Sequence, residues 1–208
     1  MSLPNVTIID YGMGNLWSVS NALNFLGYKS KISTDPDEIV NAEILLLPGV
    51  GSFRKAMESI RRLGLDKAIS EAVQDRGIKI LGICLGMQLM GMSSSEDGDT
   101  NGLGLIPAKV NMIKTEEGSS IKVPHIGFDS VLSQPDSKLF HGLDYESDFY
   151  FVHSYCMSPP TLAGKIATCN YGVDFLAAYE NKNIFAVQFH PEKSQSNGLI
   201  LLRNFLLL

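Results

Sequence analysis

A cysteine set between two glycines, Gly82-Ile83-Cys84-Leu85-Gly86, is the strongest chemical signal in the chain. A thiol attacks as its thiolate. The glycine–nucleophile–glycine pattern marks a tight strand-to-helix elbow, because side chains on either flank would clash there. Cysteine stands here where the usual pattern has serine. Ile78–Ile83 reads as a buried strand, and Leu85–Met92 reads as a helix whose N-terminus favours thiolate over thiol. A lone cysteine is more often a buried packing residue; the glycines and the strand–helix context favour the nucleophile. Cys156 and Cys169 lack that context and read as structural.

A thiolate needs a base. Of four histidines, His190 stands out in Phe189-His190-Pro191-Glu192, at the end of the last strand candidate. On extended chain, residues i and i+2 point to one side, so Glu192 is expected to hold the far ring nitrogen of His190. Pro191 stiffens the link. His153 and His125 are weaker candidates, with no carboxylate at that offset, and His141 reads as a turn residue. Acyl transfer also needs donors for an oxyanion. Pro48-Gly49-Val50-Gly51 ends a second buried strand, Ile44–Leu47, and its glycines expose successive backbone N–H groups. A plain tight turn explains the same run equally well. The Tyr11-Gly12-Met13-Gly14 turn lacks both phosphate-loop patterns. No Cys/His spacing suits a metal, and no cofactor is expected.

These residues must be positioned by a framework, and the sequence supplies one. Val6–Asp10 is a strand candidate, and Asn15 a candidate cap for a helix running to Leu26, closed by Gly27. Two helical segments, Phe53–Leu63 and Leu65–Arg76, precede Gly77. Strands alternating with helices imply a parallel sheet with right-handed crossovers. The second half holds short strand candidates at Lys109–Ile113, Lys122–Gly127, Phe149–Val152, Ile166–Asn170, Phe175–Glu180 and Ile184–Gln188, read as antiparallel additions. Ser93–Asn101 reads as a polar loop, and Ser196–Leu207 as a closing helix that is buried or covered by a partner. The expectation is an α/β fold with a mixed, mostly parallel central sheet flanked by helices, in one domain spanning 1–208.

At 208 residues and 45% hydrophobic content, with a mean hydropathy of +0.08, the chain can bury a full core without disulfides or metals. No apolar run approaches a membrane span, and no signal peptide is evident. Three cysteines without paired spacing suit a reducing cytoplasm. Seventeen basic against 22 acidic residues, with no basic run beyond Arg61-Arg62, give no footprint for nucleic acid.

Taken together, the chain resembles the class I (triad) glutamine amidotransferases. GICLGMQ (82–88) and FHPEKS (189–194) mark that class. IDYGMGN (9–15), LPGVGSF (47–53), GLGLIP (102–107), KVPHIGF (122–128) and YFVHSY (150–155) make it similar to the glutaminase subunits of imidazole glycerol phosphate synthases, from histidine biosynthesis. The resemblance runs from residue 6 to about 206. It implies Cys84 as nucleophile, His190 as base, Glu192 as orienting carboxylate, and oxyanion donors at Gly49-Val50-Gly51 and Leu85. It further implies that Gln88 and Glu96 hold the amino-acid end of glutamine. Phe128-Asp129 departs from the Trp-Asn usual in that family, which touches the partner-facing side and not the triad.

The resemblance also implies a separate (β/α)₈ cyclase partner, which receives ammonia to make imidazole glycerol phosphate and aminoimidazole carboxamide ribotide. Such a barrel takes ~250 residues of its own. Since sites in open α/β sheets lie at the C-terminal edge of the strands, Asn15, Lys193 and Phe128 are expected at the subunit interface. Three rivals are a glutaminase subunit of another amidotransferase, a cysteine hydrolase of the same superfamily, and a regulatory module with a dead elbow. The dead module would be expected to lack one of Cys84, His190 and Glu192, and all three are present.

Overall fold

The computed structural model describes residues 3–114, 121–159 and 163–208. The first half alternates as expected: β1 (Val6–Ile9), α1 (Leu16–Phe25), β2 (Ser30–Ser33), α2 (Pro36–Val40), β3 (Ile44–Gly49), α3 (Phe53–Arg62), α4 (Leu65–Ser70), β4 (Lys79–Cys84) and α5 (Leu85–Leu89). Local chemistry sets several of the ends. Asp35 caps α2 by accepting from the Asp37 amide at 2.9 Å, with Pro36 in the first turn. Ser52 caps α3. Gly77 turns the chain into β4 at φ +70°. The β2–α2 segment carries no expectation above, because three of the four residues of Ser30–Ser33 are polar and α2 is only five residues long.

The second half continues with β5 (Ser93–Ser94), β6 (Thr100–Asn101), β7 (Lys109–Met112), β8 (His125–Leu132), β9 (Glu146–His153), β10 (Tyr155–Met157), β11 (Lys165–Asn170), β12 (Asp174–Asn181), β13 (Ile184–Val187) and α6 (Gln195–Leu207). Among the described residues, nine strands form the main sheet in the order β2-β1-β3-β4-β13-β12-β11-β8-β9. β1 to β4 and β13 are parallel where they pair, and the remaining pairings are antiparallel. β10, β7, β5 and β6 make a smaller sheet.

Several expectations need correction. β13 is not an antiparallel addition: it inserts beside β4 and pairs parallel to it. Lys109–Ile113 supplies a strand of the smaller sheet, and the Ser93–Asn101 loop contains two short strands. β3 runs two residues past Leu47, so the chain turns after Gly49, which sits opposite Cys84. The segment Leu65–Arg76 is α4 followed by a π-helical turn at Glu71–Asp75. α5 stops at Leu89 rather than Met92. Alternate side chains of β3 feed separate cores on the two faces of the sheet, Leu46 one and Leu45 and Leu47 the other. No helix among the described residues is long and apolar enough to cross a membrane.

Candidate active site

Cys84 is the last residue of β4 and lies at φ +54°, ψ −110°, a strained conformation for a residue with a side chain. The flanking glycines are required by space. A Cβ at Gly86 would fall 1.6 Å from the Leu47 carbonyl oxygen, and one at Gly82 would fall 2.4 Å from Met90 Sδ. The elbow predicted from the glycine spacing is therefore present. The contribution expected from the helix N-terminus is small, because α5 has five residues. The thiol is nearly buried, 5% exposed.

His190 follows β13, its backbone tied to β9 through the Tyr150 carbonyl at 2.8 Å. Its Nδ1 lies 2.7 Å from Glu192 Oε1, and both side chains are nearly fully buried. The contact is as expected, but the extended-chain reason is not. Pro191–Lys193 is a single 3₁₀ turn that folds Glu192 back to the Nδ1 edge of the ring. Ser194 braces this turn, donating to the His190 carbonyl at 2.6 Å and accepting from the Tyr150 amide at 2.9 Å. α6 packs against it through bare backbone: a Cβ at Gly198 would meet the Pro191 carbonyl oxygen at 1.9 Å. Burial alone would lower the pKa of His190. Cys84 and Glu192 on its two sides more than offset that and raise it to about 10.

Gly49-Val50-Gly51 lies beside the elbow. A Cβ at Gly49 would strike the Tyr11 hydroxyl at 1.8 Å, and Tyr11 in turn donates to the Pro48 carbonyl at 2.9 Å. The Tyr11–Gly14 turn thus has a packing role under this strand. Val50, Gly51, Cys84, Leu85, Gln88 and Glu96 line a cavity of about 330 Å³, closed opposite by Pro124 and by Val152–Tyr155. Glu96 is not the solvated loop residue its neighbours suggest. Its carboxylate accepts from the Phe53 amide at 2.8 Å, and burial raises its pKa despite that bond. Gln88 is 5% exposed and donates to the Tyr155 carbonyl at 2.7 Å and to Gln188 Oε1 at 3.1 Å. Gln188 itself donates to Cys84 Sγ at 3.7 Å. Gln188 was visible in sequence only as a polar residue ending an apolar strand. Tyr155 contributes its main chain, which no motif reveals.

The weaker histidines form a second buried unit that starts at His153 in the cavity wall. His153 Nδ1 donates to the Tyr155 carbonyl at 3.0 Å, and its Nε2 meets His125 Nδ1 at 3.2 Å. His125 lies 3.4 Å from Asp129 and stacks on Tyr171. Burial outweighs the Tyr155 bond and pushes His153 down to about 3, so it stays neutral. Burial pushes Cys156 up to about 11 and Cys169 up to about 12, consistent with inert packing thiols.

On the outer face, Phe128 is 49% exposed and meets the Tyr150 ring edge-on at 5.5 Å, while Lys193 Nζ sits 5.8 Å from that ring's centre. Phe128 and Lys193 thus share one patch. Asn15 is exposed at the start of α1 and makes no capping bond with its side chain, contrary to the expectation of a cap.

The α/β sheet thus carries a cysteine elbow, an adjacent glycine strand and a buried His–Glu pair around one cavity. The chain belongs to the glutamine amidotransferase class-I family, whose model matches residues 7–208. It is 45% identical over 205 residues to the imidazole glycerol phosphate synthase subunit HisH 1 of Parasynechococcus marenigrum, covering 98% of each chain. It is 46% identical to the corresponding HisH subunit of Moorella thermoacetica, over 96% of this chain and 93% of that one. The fold superposes on a solved structure of PurLQS from Thermotoga maritima with a TM-score of 0.75, at 15% identity and covering 99% and 98% of the two chains.

Proposed function

We propose that this chain, read as one domain over 1–208, is the glutaminase subunit of an imidazole glycerol phosphate synthase and works in the cytoplasm. The observation that carries the chemistry is Cys84 on its elbow, flanked by His190 whose far nitrogen is bonded to Glu192 at 2.7 Å. Cys84 Sγ attacks the carboxamide carbon of glutamine, and backbone donors around Gly49-Val50-Gly51 and Leu85 receive the oxyanion. His190 gives its proton to the departing nitrogen, releasing ammonia and leaving a γ-glutamyl thioester. It then takes a proton from water, and the hydroxide frees glutamate and restores the thiolate. Gln88 and Glu96 hold the amino-acid end of the substrate. The thiolate and the two proton transfers need no cofactor.

Ammonia is a nucleophile only while unprotonated, so it passes to the (β/α)₈ cyclase partner at the face carrying Asn15, Phe128 and Lys193. Two of these residues share a patch with Tyr150, which supports that reading. The test is Cys84→Ser in the reconstituted complex. Glutamine-dependent turnover falls more than ~100-fold, because an alcohol is a far poorer nucleophile at neutral pH, while synthesis driven by added ammonium salt persists. Loss of both activities in a folded complex would overturn this division of labour.

A further inference from the structure

We propose that Gln188 is a positioning residue for the Cys84 thiolate, held in a fixed orientation by a relay of amides running from the cavity wall. The proposal rests on the reading of Cys84 as nucleophile and deepens it. The Tyr155 carbonyl can only accept a hydrogen bond, so Gln88 must turn its amide nitrogen to it, at 2.7 Å. The second hydrogen on that nitrogen points at Gln188, at 3.1 Å, and therefore finds the Gln188 oxygen. With its oxygen committed, Gln188 presents Nε2 to the sulfur, at 3.7 Å. No other assignment of the two amides satisfies all three contacts. Gln188 is fully buried and Gln88 nearly so, leaving little water to compete.

The direction of that bond matters because of what else surrounds the sulfur. The Val152 carbonyl oxygen lies 3.9 Å from it, an acceptor that suits a protonated thiol and opposes a thiolate. The Tyr11 phenol is close enough to be destabilised as an anion by Cys84, after burial, the main cause of its raised pKa. The five-residue α5 adds little positive potential. His190, partnered by Glu192, is the cationic neighbour: Cys84 helps raise its pKa although its Nε2 is outside regular hydrogen-bond geometry, and its proton is the one passed to the leaving group. Gln188 is a donor that never titrates. It holds the sulfur in both halves of the cycle, including the step in which His190 has given its proton away. The relay also links nucleophile to substrate pocket, since Gln88 lines the cavity and Tyr155 belongs to its wall.

The experiment follows alkylation of Cys84 by iodoacetamide as a function of pH in the full chain bound to its cyclase subunit. Peptide mapping separates the Cys84 adduct from Cys156 and Cys169. For Gln188→Met, a similar volume without the donor, the rate at pH 7 is expected to drop about tenfold and its midpoint to move up by about one pH unit, the scale of one hydrogen bond to an anion. Glutaminase kcat falls with it, and KM for glutamine stays within about threefold. Gln188→Glu, which offers an acceptor at the same place, slows alkylation further. A Gln188→Met profile superimposed on wild type, or a loss confined to KM, overturns the proposal. Should Gln188→Met fail to fold, Gln88→Met removes the donor that fixes the amide's direction, and an unshifted profile there overturns the relay. If wild-type Cys84 reacts no faster at neutral pH than Cys156, the nucleophile reading itself fails, an outcome distinct from the others.

Discussion

The two halves of the site are built by different means. The half proposed to supply the nucleophile, β3, β4 and the elbow between β4 and α5, is a backbone construction: parallel strands in register at Gly49 and Cys84, with glycines admitting contacts too close for any side chain. The half proposed for acid–base work is a side-chain construction. His190 and Glu192 come from a short 3₁₀ turn and owe their geometry to buried hydrogen bonds, with Ser194 bracing the chain. A backbone device tolerates no added atom, whereas a side-chain device tolerates shape changes and fails when a donor or acceptor is lost.

Breaking each half should therefore look different. The largest effect is expected from Gly86→Ala. Overpacking a core usually costs ~1–3 kcal/mol, and here the new methyl would lie 1.6 Å from a backbone oxygen of β3. Melting temperature and glutaminase activity should fall together, with activity down more than ~100-fold; a stable, active variant would show that the elbow can shift. Glu192→Gln keeps the shape of the second half and removes its charge. Turnover should drop about 10²–10⁴-fold with the melting curve little changed and KM within about threefold, the pattern of an orienting carboxylate. A rise in KM at constant kcat would make Glu192 a substrate ligand instead.

The pH dependence of stability sharpens the contrast further. His190 has its pKa raised to about 10 against an ordinary 6.5. Its stabilisation is fully present below pH 6.5 and is lost as pH climbs through about 10. His153, lowered to about 3, works in reverse: its neutral form stabilises the fold above pH 6.5, and that contribution disappears as pH falls towards 3. Urea midpoints measured across pH should decline at both ends, and Glu192→Gln should flatten only the alkaline side. The smallest effect is expected at the outer patch. Lys193→Glu loses the contact over Tyr150 and should weaken assembly with the cyclase about tenfold in titrations, leaving the melting temperature within about 2 °C. Unchanged affinity and unchanged activation by the partner would place the interface elsewhere.

The difference between the halves also explains what could be read from the sequence. Glycines at 82, 86, 49 and 51 announce a backbone device directly, because residue type alone encodes the missing side chain. The His190–Glu192 pair was legible by spacing, although the extended chain assumed for it is a 3₁₀ turn; proline at the first position fits both. The parallel placement of β13 beside β4 was not legible, since a four-residue apolar run looks the same whichever way its neighbour runs. Glu96 looked solvated in SSSEDGDTN, and only tertiary packing brings it to the Phe53 amide. Contacts made through the main chain of Tyr155 and Val152 leave no trace in residue identity.

The central position of β13 has a consequence for the order in which the molecule is made. β1 through α5 can pair and pack while the chain is still being synthesised, and domains fold from their N-terminal parts as these emerge. β13 is the last strand in chain order among the described residues, yet it separates β4 from β12 in the middle of the sheet. Until it inserts, the parallel and antiparallel portions are not joined, and Cys84 has neither His190 nor Gln188 beside it. A nascent chain thus carries Cys84 long before it carries the partners proposed for it. On the proposed mechanism, glutamine hydrolysis would therefore report the completion of the sheet.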